Sequence, residues 1–196
     1  MKRIGIFGGS FNPVHLGHTA LAAYICEQGL VDEVWMMVSP QNPLKQNLEL
    51  LDEQHRLSML QLAVSSYPML QACDFEFNLP RPSYTYHTLQ ALRDTYPDYS
   101  FTLIIGEDNW QNFHRWYRSE EISRETPIIV YPRDSFEGLE LRIEGAIKAK
   151  TPQHSTPLFP YSSTQVRNAI ANRESTAEML HPEVEKYIQQ YGFYTK

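Results

Sequence analysis

Two histidines three positions apart, His15 and His18, follow a glycine-rich turn, Gly8-Gly9-Ser10-Phe11, near the start of the chain. Imidazoles donate N–H bonds and take up charge near neutral pH, so such a pair suits the binding of anionic oxygen. The paired glycines let the backbone turn sharply and approach a ligand closely. Ahead of them lies a short apolar run, Ile4–Phe7, that reads as a buried strand; behind them Leu21 and Ile25 open a helical periodicity. A helix N-terminus offers unpaired N–H groups and a positive dipole end. Strand, glycine turn and helix start together describe a phosphate-binding corner carrying two imidazoles. Glycines after a strand are common in α/β proteins, and a lone histidine is usually a surface or core residue. The His15-Leu16-Gly17-His18 spacing tied to this turn is much more specific, because both rings share one helix face.

Five further segments carry chemistry-bearing residues. Ser39-Pro40-Gln41-Asn42-Pro43-Leu44-Lys45 is a proline-fixed loop whose Lys45 could reach a phosphate, or could be a solvated surface lysine. Gly106-Glu107-Asp108-Asn109-Trp110 places an acid after an apolar run, where Asp108 could grip ribose hydroxyls; Asp108 or Asn109 could equally cap a helix. Phe113-His114-Arg115-Trp116-Tyr117-Arg118 mixes aromatics with cations, which suits stacking on a flat heterocycle, an interface, or the covering of a core. Ser162-Ser163-Thr164-Gln165-Val166-Arg167 opens a helix with hydroxyls and a cation suited to phosphate, although a plain serine cap with an exposed arginine has the same pattern. Arg81-Pro82-Ser83-Tyr84-Thr85-Tyr86 adds hydroxyls at another helix start, suited to a small carboxylate or amide.

The elements that would position these segments alternate. Strands are expected at Ile4–Phe7, Val34–Val38, Leu70–Phe77, Phe101–Ile105 and Ile128–Tyr131, with a short one near Pro157–Phe159. Leu57, Leu60 and Val64 mark one helix stripe, and Leu89, Leu92 and Tyr96 another, with Asp52 and Ser83 as their N-caps. A last helix spans Pro182–Tyr191, with proline at its first position and Gly192 as its stop. Strands alternating with helices predict a single α/β domain over residues 1–196: a Rossmann-like, doubly wound parallel sheet with a C-terminal helical segment. Ligands of such sheets bind at the carboxyl ends of the strands, so the motifs should converge.

Composition narrows the classes. With 42% hydrophobic residues the chain of 196 has material for a core, and no apolar stretch approaches the ~20 residues of a membrane span. The start does not read as a secretory signal, which predicts a cytoplasmic protein without a membrane partner. The net charge of −6 argues against nucleic acid as a partner but leaves room for an anionic small molecule in a locally positive pocket. Cys26 and Cys73 fit two buried thiols better than a disulfide or zinc site. Nothing in the pattern sets an oligomeric state.

With the His15–His18 motif and Ser162–Arg167 both in view, the chain resembles the nucleotidylyltransferases of the HxGH-bearing α/β-phosphodiesterase superfamily, and more narrowly the bacterial nicotinate-nucleotide adenylyltransferases. The likeness extends through Ser39–Lys45, Pro82–Thr85, Gly106–Asp108, Trp116–Arg118 and Pro182–Tyr191; only Phe136–Thr156 has no match. The resemblance implies that the 5′-phosphate of nicotinate mononucleotide (NaMN) attacks the α-phosphorus of ATP in line, releasing pyrophosphate and forming deamido-NAD, with Mg²⁺ present. It assigns catalysis to His15, His18, Lys45 and Arg167. ATP would meet Gly8, Gly9, Ser10, Phe11, His15, His18, Gly106, Asp108, Ser162, Ser163, Thr164 and Arg167. NaMN would meet Ser10, Phe11, Ser39, Lys45, Tyr84, Thr85, Trp116 and Tyr117. Mg²⁺ would be held by triphosphate oxygens and water, with no protein ligand named. Three departures stand out: Asn12 where many relatives have aspartate, Tyr161 before the serine pair in place of a smaller apolar residue, and Pro80-Arg81 in place of Arg-x-Gly. The alternatives are a sister enzyme using phosphopantetheine or the amide mononucleotide, a cytidylyltransferase using CTP, and a nucleotide-binding module without catalysis.

Overall fold

The continuous apolar run Ile4–Phe7 is buried at every position and forms the middle of the first strand, β1 (Lys2–Gly9). The computed structural model describes residues 1–40, 50–131, 142–144 and 161–195. The chain continues through α1 (Leu16–Glu27), β2 (Glu33–Val38), α2 (Glu53–Val64), β3 (Leu70–Cys73), a 3₁₀ turn (Phe75–Asn78), α3 (Thr85–Thr95) and β4 (Tyr99–Gly106). Then come α4 (Glu107–Gln111), a second 3₁₀ turn (Phe113–Arg115), α5 (Ser119–Glu125), β5 (Ile128–Tyr131), β6 (Arg142–Glu144), α6 (Ser163–Ala171) and α7 (Pro182–Tyr191).

The strands form one sheet in the order β3-β2-β1-β4-β5-β6. The first five run parallel, and β6 closes the edge antiparallel to β5. Alternate residues of each central strand enter two cores, as the pleat requires. Val34, Met36 and Val38 face α1, α2, α6 and α7, whereas Trp35 and Met37 face α3 and α5. Helices thus cover both faces of a Rossmann-like sheet, which explains why its strands are apolar on both sides. Burying each of these large side chains contributes about 1.5–3 kcal/mol.

Several expectations about local structure change. The run Leu70–Phe77 is not one strand: β3 pairs only with β2 and only through Cys73, and the residues beyond it, lacking a partner, coil into the 3₁₀ turn. Ser83 does not cap α3. The helix begins at Thr85 with Tyr84 as its uncapped N-cap, and the Ser83 hydroxyl turns into the protein. Asp52 does cap α2, accepting from the Gln54 N–H at 2.9 Å. Pro182 opens α7, and Gly192, at φ 67°, ends it. The antiparallel β6 was not anticipated. The strand expected near Pro157–Phe159 lies outside the described residues. Cys73 is buried but Cys26 only half so; both thiols are free, and burial pushes each up to about 11. Among the described residues no helix is long and apolar enough to cross a membrane.

Candidate active site

The strand order reverses between β1 and β4, the place where an open α/β sheet leaves a crevice beyond its carboxyl ends. The turn leaving β1 lies there. A Cβ on Gly9 would meet the Phe11 ring at 3.0 Å, so only glycine lets that ring fold back beneath the turn; a Cβ on Gly8 would stand in open space. Phe11 itself is 1% exposed and holds φ at 44°, a left-handed conformation that costs a non-glycine residue roughly 1–3 kcal/mol. Such strain persists only where the surroundings over-determine it.

His15 is the N-cap of α1 and His18 its third residue. Their rings stack with centroids 3.6 Å apart, and the His15 backbone N–H donates to His18 Nδ1 at 3.2 Å. An accepting Nδ1 places the His18 proton on Nε2, making that nitrogen a donor. Phe7 and Phe11 pack against the His18 ring, at 6.1 and 5.1 Å, and so limit its orientation.

Ser162–Arg167 docks directly on this turn, 150 residues later in the chain. Ser163 Oγ donates to the Pro13 carbonyl at 2.8 Å, and Arg167 donates to the Asn12 carbonyl at 2.7 Å. A second Arg167 N–H meets Thr164 Oγ1 at 3.1 Å, leaving three of its five donors for other acceptors among the described residues. Ser162 takes the plain capping role, exchanging bonds with Gln165. The start of α6 is therefore held against the turn that leads into α1. Asn12 closes the turn from below: its Oδ1 accepts from Leu51 N–H at 3.3 Å and from Tyr194 O–H at 2.8 Å, a use of the side-chain amide acceptor that gives this residue a structural task. Burial raises the Tyr194 phenol, keeping it protonated for that bond.

Gly106 ends β4 beside β1 and is the N-cap of α4; Asp108 stands in the first helical turn and is not the cap. The residues that the resemblance assigns to NaMN lie in other segments. Tyr84 and Tyr117 rings lie 5.2 Å apart at the uncapped start of α3, where Thr85 is the first helical residue. Trp116 leans on Phe113 at 5.3 Å, half-buried, and its Nε1 finds no partner among the described residues. Ser39 follows β2, with its N–H on the Gly9 carbonyl at 2.9 Å. Lys45 lies outside the described residues.

Sequence reasoning missed three side chains. Arg118, at φ 54°, lays its guanidinium 4.9 Å from the Tyr86 ring and 5.6 Å from the Tyr117 ring. Glu76 is buried; burial raises its carboxyl, while Thr88, donating at 2.9 Å, and the Ser39 and Ser83 hydroxyls oppose the rise. Arg56 is buried under the phosphate turn. Arg118 lies in the aromatic–cation run and in the Trp116–Arg118 likeness but was given no site role; Arg56 and Glu76 belong to no recognisable motif.

Sheet, turn and docked helix start are those of an α/β nucleotide-binding enzyme. The chain belongs to the cytidylyltransferase-like family, whose profile matches residues 6–169, and within it to the nicotinate-nucleotide adenylyltransferases. A Bacteroides thetaiotaomicron protein named a "probable nicotinate-nucleotide adenylyltransferase" is 50% identical across 96% of this chain and 92% of its own length. One of the same name from Flavobacterium psychrophilum is 40% identical across 99% of this chain and 100% of its own. In fold, the Plasmodium falciparum nicotinic acid mononucleotide adenylyltransferase complexed with NaAD superposes with a TM-score of 0.79 at 20% identity, covering 99% of this chain and 98% of that one.

Proposed function

We propose that this protein joins ATP and NaMN to give deamido-NAD and pyrophosphate, a step of NAD biosynthesis, and that residues 1–196 act as one catalytic domain. Beyond the relatives' names, the observation that carries the reading is the docking of Ser163 and Arg167 on the Pro13 and Asn12 carbonyls. It ties the start of α6 to the turn that leads into His15 and His18, which supports a shared phosphate site at the sheet's switch point.

The chemistry asks little more. The acceptor phosphate is already an oxyanion, so no base need remove a proton and no covalent enzyme intermediate is required. Two polyanions must be held in line and charge on departing pyrophosphate stabilised. Orientation contributes on the order of 7–11 kcal/mol, and each preorganised donor about 3 kcal/mol. His18 Nε2–H and the remaining Arg167 donors suit the triphosphate, with Lys45 completing the set. Gly8, Gly9, Ser10 and Phe11 line the turn. Gly106 and Asp108 would meet the ATP ribose. Tyr84, Thr85, Trp116 and Tyr117 would hold the pyridine ring and its carboxylate, beside Ser39. Nucleotidyltransferases of this kind generally use a divalent metal; among the described residues no group of three or more His, Cys, Asp or Glu side chains is placed to hold one. We take Mg²⁺ to enter with the triphosphate, ligated by phosphate oxygens and water. A cytoplasmic setting goes with the reaction.

Purified protein supplied with ATP, Mg²⁺ and, in turn, NaMN, its amide counterpart or phosphopantetheine should release pyrophosphate fastest with NaMN. Faster release with another acceptor, or with CTP in place of ATP, would overturn the reading.

A further inference from the structure

Arg56, on the first turn of α2, is 1% exposed and is among the largest fully buried side chains of the protein. A buried guanidinium ordinarily faces a carboxylate, because an unpaired charge in a protein interior is costly. Among the described residues Arg56 forms no ion pair. Its donors go to main-chain carbonyls instead. Nε reaches Leu51 O at 2.9 Å, one terminal nitrogen reaches Ser10 O at 2.7 Å and Ser39 O at 2.9 Å, and the other reaches Pro40 O at 3.3 Å. Burial pulls its pKa down, with Asp52 and Glu53 acting the other way.

Those four carbonyls belong to three separate segments that border the site: the phosphate turn after β1, the exit of β2, and the approach to α2. In a trans peptide the N–H points away from its C=O. Anchoring Ser10 O on Arg56 therefore directs the Phe11 N–H to the opposite side of the turn, at the residue held in the left-handed conformation. Anchoring Ser39 O and Pro40 O fixes where the acceptor-side segment leaves the sheet, next to the Ser39 N–H bond to Gly9. A planar fork with five donors can tie three backbones at once; an ammonium on a flexible stem cannot hold the same geometry.

We infer that Arg56 is a positioning residue for adenylyl transfer: it clamps the phosphate turn to the start of the acceptor-side segment, setting the distance between the two reacting phosphates. The inference rests on the adenylyl-transfer reading. It concerns in-line alignment, so it predicts a loss in turnover out of proportion to any loss in binding.

The test uses Arg56→Lys and Arg56→Gln, each checked for folding by circular dichroism and melting temperature. Turnover and both KM values are measured with NaMN, and ATP affinity is measured without acceptor by calorimetry. Arg56→Lys should lose roughly 10-fold in kcat and Arg56→Gln roughly 100-fold, while ATP affinity and both KM values stay within about threefold. A merely structural arginine would lower the melting temperature and leave kcat of the folded protein within twofold, which would overturn the inference. Failure of both variants to fold would also overturn it, by making Arg56 a stability residue. A wild-type protein that binds ATP but transfers nothing to NaMN would instead sink the reading of the reaction.

Discussion

The two sides of the candidate site are built differently. The phosphate side is interior and backbone-bound: Phe11 and His15 are buried, and Ser163, Arg167 and Arg56 all donate to main-chain carbonyls of the turn or its neighbours. The acceptor side is open and made of rings: Tyr84 is 36% and Tyr117 44% exposed, and Arg118 lies against phenol faces. Triphosphate is the same in every such reaction, so its site can be rigid before it arrives. A pyridine ring is held by stacking, and stacking residues can stay accessible until the substrate covers them. On the proposed reading, rate would come from the first side and acceptor selectivity from the second.

Four measurements would break or sharpen that contrast. His18→Ala should lower kcat by ~10²–10⁴ with little change in melting temperature, since it removes a placed donor and little packing; turnover within threefold of wild type would dissolve the rigid phosphate side. Trp116→Ala and Tyr117→Ala should raise the NaMN KM roughly 10-fold and leave the ATP KM within twofold. Equal effects on both substrates would show that the two sides are not separable.

A smaller effect is expected behind the acceptor residues. Burial holds the Glu76 carboxyl above its ordinary range, so stability is highest below that range and falls as pH rises through the raised value. Glu76→Gln keeps an acceptor for Thr88 and removes the cost of a buried charge. Its melting temperature should gain on wild type between pH 4 and pH 8, by roughly 2–4 °C per kcal/mol relieved; a pH-independent gap would assign the burial cost elsewhere. Least affected are the thiols. With both Cys26 and Cys73 pushed up to about 11, native protein at pH 8 should alkylate about 100-fold more slowly than unfolded protein. Rapid native labelling of one of them would expose a local opening that the packing does not suggest.

Most strands were legible because a parallel strand buried on both faces reads as an uninterrupted apolar run, and four of the five are found within two residues of their expected ends. The exception, β3, is an edge strand of the sheet, where the single available partner decides how far an apolar run stays extended. The His15–His18 turn and Ser162–Arg167 were legible for a different reason: phosphate binding needs contiguous backbone at helix starts, and contiguous residues make a readable motif. Arg56 and Glu76 left no such trace. Their partners are carbonyls and hydroxyls spread over other segments at no recurring spacing, and an inward-facing arginine looks in sequence like any polar residue of an amphipathic helix.

What the amino-acid order determined by itself was the alternation of strand and helix, the glycine turn, and the helix starts able to receive phosphate. These depend on neighbours along the chain, through propensity, periodicity and capping. Only the tertiary structure decided that α6 returns to seat its first turn on Asn12 and Pro13, and that one buried guanidinium ties three backbones together. Both depend on distances between segments, and those are set when the two cores pack against the sheet.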